Sequence, residues 1–444
     1  MNSRHCSTLI VGAGPGGYAL AAAEVAAGKD VVVIEDSRLG GTCLNRGCIP
    51  TKCLCASASA LAAARSAARL GVAGCDKVSL DIDAARLHKN TVVSSLRDDV
   101  ASLLASCTIV NSRAAFDDNG HIVAADTVFS ADRVVIATGS APASLPIPGA
   151  ELCVSSDALL ELDSVPASLC VIGGGVIGLE LASAYADFGS QVTVIEFLPE
   201  ILPGFDTDIA RRLRSMLQRR GIRIVTSAAA SSISLSDDNS RTVTYTTRGK
   251  EQTVAADCVL MAVGRRPVVP DNYAAAGISL DPKGRIITDS SFLAAPGIYA
   301  IGDCAAGFPM LAHVAEAQAH ILAGHSADLL RAIPSVIYTR PEAFAVGMTE
   351  ADASRAGIDI AVRKIPVAAN SYARAIAAAD GLVKIVAEAA SGLLLGIHYV
   401  GPAADTLVGE AQLTVASRLT VSDLLGTIHA HPTLTELFPA ALPR

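Results

Sequence analysis

Two cysteines, Cys43 and Cys48, sit five positions apart in the run Gly40-Gly41-Thr42-Cys43-Leu44-Asn45-Arg46-Gly47-Cys48-Ile49-Pro50-Thr51-Lys52, with Gly47 immediately before the second. They follow a glycine-rich nucleotide-binding pattern at the N-terminus. Proteins of a reducing compartment seldom carry structural disulfides, so a thiol pair beside a nucleotide site reads as redox chemistry rather than as a staple. Isolated pairs at this spacing are common. The whole thirteen-residue context makes this one specific.

Such thiols need a nucleotide fold to hold them, and one design occurs twice. Thr8-Leu9-Ile10-Val11 leads into Gly12-x-Gly14-x-x-Gly17, an Ala-rich helix, and a strand from Asp30 to Glu35. Leu169-Cys170-Val171-Ile172 leads into Gly173-x-Gly175-x-x-Gly178, a helix, and a strand from Gln191 to Glu196. In both, the acid lies 23 residues beyond the first glycine. The first glycine makes the tight turn, the second admits a pyrophosphate to the backbone, and the third lets helix and strand pack closely. The phosphates meet the positive end of a helix dipole. The terminal acid accepts hydrogen bonds from a ribose hydroxyl. One such motif is weak evidence; two with matching flanks imply two dinucleotides. Phe197 and Leu198 follow Glu196, with no Arg to balance a 2′-phosphate, so the second site is expected to take NAD rather than NADP.

Further strands frame these units. Arg133-Val134-Val135-Ile136 ends in Ala137-Thr138-Gly139-Ser140, and Cys258 to Val263 ends in Gly264-Arg265-Arg266. Pro142, Pro146 and Pro148 mark a linker. Ile298 to Ile301 ends in Gly302-Asp303, before a helix from about Met310. Asp303 suits either a polyol hydroxyl or an ordinary helix cap. From Ile333 short strands (Val383 to Val386, Gly396 to Val400) mix with amphipathic helices (Ala403 to Arg418), an α+β texture without a nucleotide signature.

The chain has 444 residues, 51% hydrophobic and 4% aromatic with no Trp, and a net charge of −8. Its apolar bulk is aliphatic, which suits helices packed on parallel strands. Nothing favours nucleic acid or an anionic membrane as partner. Arg211, Arg212, Arg214, Arg219 and Arg220 read as a solvated helix face, with no aromatic residues between them. No apolar stretch is expected to reach the roughly 18 clean residues of a membrane span. The N-terminal apolar run reads as a buried strand and glycine turn rather than a signal peptide, so the cytoplasm is the expected location. The 11 cysteines lack paired metal spacing, and no metal site is expected. Apart from Cys43 and Cys48 they are expected to be reduced apolar fillers. His5, His88, His121, His320 and His325 are expected on the surface, and His313 and His398 in local structural roles.

Four blocks together resemble the pyridine nucleotide–disulfide oxidoreductases, and among them the dihydrolipoamide dehydrogenases. They are the cysteine segment, the paired glycine motifs, Ile298 to Asp303 with Met310-Leu311-Ala312-His313, and Ile428-His429-Ala430-His431-Pro432-Thr433-Leu434-Thr435-Glu436. The resemblance implies an α/β fold with two Rossmann-like dinucleotide-binding domains plus a C-terminal α+β dimerisation domain. It divides the chain into an FAD-binding domain (1–142), an NAD-binding domain (143–264), a central region completing the FAD site (265–332) and an interface domain (333–444).

It further implies that Gly12, Gly14, Gly17, Glu35, Thr42, Lys52, Ala114, Thr138, Gly139, Ser140, Asp303, Met310, Leu311, Ala312 and His313 hold FAD. Gly173, Gly175, Gly178, Glu180, Glu196 and Gly264 would hold NAD. Cys43 and Cys48 would form the redox disulfide on one helical turn, Cys43 exchanging with substrate and Cys48 facing the flavin. A dithiol attacks as a thiolate, which requires a base. His431 suits that role near neutral pH, with Glu436 orienting its ring and Pro432 fixing the turn between them. By resemblance His431 serves the cysteines of the second subunit of a homodimer, and Lys52 pairs with Glu180 beside flavin and nicotinamide. Val176 stands where some relatives carry an aromatic gate.

The implied activity is oxidation of protein-bound dihydrolipoyl groups with reduction of NAD. The implied partners are the lipoyl-bearing acyltransferases of 2-oxoacid dehydrogenase complexes, or the lipoyl protein of glycine cleavage. The alternative is a glutathione-type disulfide reductase using NADPH, which Glu196 disfavours. The nucleotide strand begins by Thr8, so no lipoyl or heavy-metal domain is expected before it, and Glu436 lies eight residues from the last residue of the sequence.

Overall fold

A computed structural model of the chain describes residues 2–442. Its contacts divide the chain into two units. One comprises Met1–Thr51, Arg86–Ala143 and Gly264–Leu330, and the other Lys52–Ala85, Ser144–Val263 and Arg331–Arg444.

The first unit is built on the strand Asn2–Val11. Val31–Glu35 lies parallel on one side of it and Thr127–Ile136 parallel on the other. Thr108–Asn111 and Ile298–Ala300 extend the sheet outward, both parallel to their neighbours. Successive side chains alternate between faces, and both faces are covered. Leu9, Val11, Val32 and Ile34 join Phe116, Phe129 and Ile286 on one side. Ile10, Val31 and Val33 join Leu20, Leu44, Val93 and Ala319 on the other. That two-sided burial is why these strands are unbroken runs of Val and Ile. The helix Pro15–Ala26 follows the first strand after a tight turn. Gly12 has φ +106°, and a Cβ on it would lie 2.4 Å from the Ala137 carbonyl oxygen. A Cβ on Gly17 would lie 1.9 Å from the Gly12 oxygen.

The second unit repeats the design. Ser168–Ile172 pairs in parallel with Gln191–Ile195 and with Cys258–Met261, and Val176–Phe188 is the intervening helix. Gly173 has φ +112°, and a Cβ on Gly178 would lie 2.2 Å from the Gly173 oxygen. Three antiparallel strands, Ala228–Leu235, Arg241–Thr247 and Lys250–Ala256, form a separate sheet. A five-stranded antiparallel sheet follows in the C-terminal part, in the order Ser335–Ile337, Glu342–Gly347, Leu394–Gly401, Leu382–Glu388 and Ile360–Pro366. The helix Ala404–Ala416 buries Leu407 and Ala411 in the core of this sheet. The expected class, two Rossmann-like folds and a C-terminal α+β fold, is therefore present.

Two expectations require correction. The helical run Gly41–Leu70 is long and apolar enough, by length and composition, to cross a membrane. Its Leu54, Cys55, Ala58 and Leu61 are instead buried against Leu159, Leu169, Leu181 and Tyr185. The arginine cluster on and after Thr207–Arg219 is largely ion-paired rather than merely solvated. Arg212 and Arg219 share Asp380, Arg214 meets Glu200 at 2.9 Å, and the mostly buried Arg220 meets Asp187 at 2.7 Å.

A buried charge ties this helix to the C-terminal sheet. Lys384 Nζ reaches Asp206 at 2.9 Å, Asp208 at 2.8 Å and Glu350 at 2.6 Å. Burial pulls its pKa down, but the three carboxylates outweigh that and hold it above the usual lysine value. Replacing Lys384 with Met strands the buried Asp206 carboxylate, so Lys384→Met is expected to cost about 3–5 kcal/mol in urea unfolding. Lys364→Met, at an exposed partner of Asp208, is expected to cost under about 1 kcal/mol.

Candidate active site

Several helices begin without a capping side chain, among them Pro15–Ala26 at Gly14, Val176–Phe188 at Gly175 and Ala312–Leu322 at Leu311. Elsewhere Asp206, Thr349 and Thr420 cap their helices in the ordinary way. Uncapped first-turn N–H groups remain available to an anion, and glycine at Gly14 and Gly175 leaves the approach open. Met310 and Leu311 lead into the helix Ala312–Leu322, whose first two residues are Ala312 and His313. Its start at Ala312 excludes the cap reading of Asp303, which lies in a separate short turn, Gly302–Cys304.

The two motif acids are held alike. Glu35 accepts from the Ala13 amide at 2.7 Å and from the Ser37 amide at 3.0 Å. Glu196 accepts from the Gly174 amide at 2.5 Å and from the Leu198 amide at 2.6 Å. Each carboxylate oxygen keeps a second lone pair for a hydroxyl donor. Burial raises the pKa of Glu35, against the pull of its two backbone amides. Amide-held carboxylates beside uncapped helix starts fit a dinucleotide ribose and pyrophosphate at both motifs.

The cysteine segment departs from one expectation. Cys43 lies in the helix Gly41–Arg46, and Cys48 begins a second helix, Cys48–Ser66. The chain breaks at Gly47, so the pair does not share one uninterrupted helical turn. A Cβ on Gly47 would lie 2.9 Å from the Thr42 oxygen and 3.3 Å from Cys43 Cα. Only glycine fits so close to the backbone of Thr42 and Cys43. Cys43 is half-buried and Cys48 exposed. In contrast Cys55 and Cys170 are buried, and desolvation pushes both thiols up to about 12. They stay protonated, as fillers should.

Around the segment after Thr127–Ile136, side chains form a chain that sequence reasoning missed. Arg265 donates through Nε to Ser140 Oγ at 2.7 Å and through a terminal nitrogen to the Ser140 carbonyl at 2.7 Å. The same nitrogen is 3.5 Å from Thr42 Oγ1. Ser140 Oγ donates to Asp303 at 2.5 Å. Arg265 had been read only as the end of a strand; a charged residue beside a strand-ending glycine was the available signal. Gly139 has φ +68° and Thr138 Oγ1 donates to the Val268 carbonyl. Ala114 is buried nearby in sequence to the short strand Ala115–Phe116. Gly264, with φ +116°, accepts from the Ala143 amide within the first unit. Tyr18 was also missed. Burial first, then the charges of Cys43, Glu316 and Cys48, raises its phenol pKa.

In the second unit Lys52 Nζ donates to both oxygens of Glu180, at 2.9 and 2.8 Å. Glu180 is buried and also accepts from the Tyr338 amide, while Lys52 lies 4.6 Å from the centre of the Tyr338 ring. Val176 opens the helix and is partly exposed. His431 Nδ1 lies 3.0 Å from Glu436 Oε1, on an imidazole 72% exposed. Glu436 Oε2 accepts the Thr433 amide at 2.9 Å. The hydrogen bond to His431, then that amide, lowers the pKa of Glu436. This pairing is complete above the lowered value and is lost as pH falls through it. His429, not singled out from sequence, forms a second pair: its Nε2 is 2.7 Å from Glu410. Of the histidines expected on the surface, His320 is half-buried; His398 is fully buried against the Met348 carbonyl.

The pyridine nucleotide-disulphide oxidoreductase profile matches residues 6–319, and the dimerisation domain of the same family matches residues 333–442. The chain is a pyridine nucleotide–disulphide oxidoreductase. Members of this family depend on FAD and a pyridine nucleotide, and the dimerisation domain supports a homodimer. The chain is 38% identical to a dihydrolipoyl dehydrogenase of Geobacillus stearothermophilus over 97% of its length and 94% of that protein. It is 37% identical to one of Haloferax volcanii over 96% and 94%. Among solved structures it is similar to the HOCl-induced flavoprotein disulfide reductase RclA from Escherichia coli. That likeness has a TM-score of 0.86 at 28% identity, covering 99% of both chains.

For this oxidoreductase, Lys52→Met leaves the buried Glu180 without its cation and is expected to cost about 3–5 kcal/mol in thermal or urea unfolding. Gly17→Ala drives a methyl into the Gly12 carbonyl. Its expected results are a loss of about 1–3 kcal/mol and a fall in flavin retained per chain on purification, read from the visible spectrum.

Proposed function

We propose that this oxidoreductase oxidises protein-bound dihydrolipoyl groups to the disulfide and reduces NAD to NADH. FAD, when bound, supplies the two-electron relay between the cysteine pair and NAD. The chain's own residues do the rest. His431, serving the cysteine pair of the second subunit, takes the proton of the substrate dithiol, and Glu436 holds the ring and stabilises its cationic form. The resulting thiolate attacks Cys43 Sγ, and the Cys43–Cys48 bond breaks with Cys48 leaving as thiolate. The second substrate thiol then displaces Cys43, closing the lipoyl disulfide and leaving the enzyme's pair reduced by two electrons. Those electrons and one proton become the hydride on NAD.

The observation that carries this reading is the exposed His431 imidazole, held through one nitrogen by Glu436 so that the other is turned to proton transfer. The NAD preference rests on Glu196. Its carboxylate is held at the end of the strand Gln191–Ile195 by the Gly174 and Leu198 amides, where it would accept from a ribose hydroxyl, and Phe197 and Leu198 follow it. A 2′-phosphate would meet negative charge there without compensation. Supporting the substrate are relatives named dihydrolipoyl dehydrogenase at 36–38% identity over nearly their whole length. The partners carrying the dihydrolipoyl donor would be lipoyl-bearing subunits of 2-oxoacid dehydrogenase or glycine cleavage systems, in the cytoplasm. The likeness to RclA favours a second reading, a reductase that spends a nicotinamide nucleotide on another disulfide.

Turnover of dihydrolipoamide with NAD, and with NADP, separates them. NAD is expected to be favoured strongly. Cys48→Ser is expected to abolish the reaction, and His431→Gln to lower kcat by about 10²- to 10⁴-fold while NADH-to-dye transfer persists. A preference for NADPH in reducing disulfides would reject the assignment.

A further inference from the structure

From Leu425 to Pro432 every residue is exposed except His429, whose side chain retains 8% of its exposure. Ile428, immediately before it, is 97% exposed. No helix or strand covers residues 428–433, so the segment bearing His431 is held by side chains rather than by a ladder of backbone bonds. Within one chain several side-chain bonds hold it. Thr433 Oγ1 donates to the Ala430 carbonyl at 2.8 Å, Asn370 donates to the Thr433 carbonyl at 2.9 Å, and Glu436 accepts the Thr433 amide. All three lie on the C-terminal side of Ala430 or at it.

On the N-terminal side Thr427 is bonded to the Asp423 and Leu424 carbonyls, and His429 is the anchor between Thr427 and Ala430. Its Nε2 lies 2.7 Å from Glu410 Oε1, on the helix Ala404–Ala416, and its Nδ1 lies 3.2 Å from the Thr427 carbonyl. Both ring nitrogens thus face oxygen atoms of the surrounding chain. The helix that carries Glu410 is itself packed into the C-terminal core through Leu407 and Ala411. The chain thus places two imidazole–carboxylate pairs two residues apart, one inward and one outward.

We propose that Glu410 is a positioning residue: through His429 it pins the His431 segment to the packed helix Ala404–Ala416 and sets where the outward imidazole stands. This rests on the role given to His431 above. Misplacing a reacting group by about 1 Å is enough to cost roughly 10²-fold.

The test uses the full flavin-loaded protein with Glu410→Ala and Glu410→Gln. Glu410→Ala is expected to lower dihydrolipoamide-dependent kcat by about 10- to 100-fold, with KM changed little and the pH profile displaced. Glu410→Gln keeps an acceptor and is expected to recover much of that loss. NADH-to-dye transfer, flavin content and dimer size stay as in the parent protein. An unchanged kcat and pH profile overturns the proposal. So does a parallel loss of dye reduction, flavin and dimer, which marks a purely structural role. If the parent protein does not turn over dihydrolipoamide, the functional assignment falls by itself. The positioning role is then read from the His431 ring signal in NMR, identified with His431→Gln. A signal displaced or broadened in Glu410→Ala supports it, and an unmoved signal refutes it.

Discussion

The close approach of glycine to carbonyl at the two nucleotide turns is the constraint on which the rest depends. At Gly17 and at Gly178 the helix passes so near the preceding turn that a single added carbon would fall 1.9 and 2.2 Å from the Gly12 and Gly173 oxygens. That contact seats each helix against its parallel strand, directs its uncapped first turn outward from the end of the sheet, and brings the amide after the first glycine against the acid at the end of the next strand. Glu35 and Glu196 are therefore anchored by the same geometry that opens the anion site. Within each unit, one steric condition sets both ends of a dinucleotide cradle.

Polar side chains work in held pairs. Glu180 is buried because Lys52 and the Tyr338 amide satisfy it. Asp303 is placed by Ser140, and Ser140 by Arg265. His431 is oriented by Glu436, which is itself fixed by an amide. In each case one group offers chemistry and another removes its freedom, which keeps the entropy of ordering out of the reaction step. The nine remaining cysteines are handled oppositely: seven of them are buried, and desolvation keeps several protonated and inert.

Much of this was legible in the residues. Runs such as Val31-Val32-Val33-Ile34 announce strands covered on both faces, and the repeated glycine spacing announces the turns between strand and helix. Glu196 with its apolar neighbours was visible as the end of a strand. The break at Gly47 was not, because four residues between cysteines suit a helical turn until the backbone of Thr42 and Cys43 is seen in the way. The length and composition of Gly41–Leu70 match a membrane span, and only the packing of Leu54 and Leu61 shows which surface they meet. Arg265 and the His429–Glu410 pair were missed for another reason. Their partners lie 125 and 19 residues away, beyond any helical or strand period.

The amino-acid sequence alone determined the strands, the glycine turns, the acids that close them and the presence of a thiol pair and a histidine–glutamate motif. These follow from local sterics and periodicity, which act over a few residues. Which residues meet was decided only by the tertiary structure. The joining of Lys384 to Asp206, of Ser140 to Asp303 and of His429 to Glu410 depends on how distant segments pack, because a buried polar group finds its partner through the fold and not along the chain.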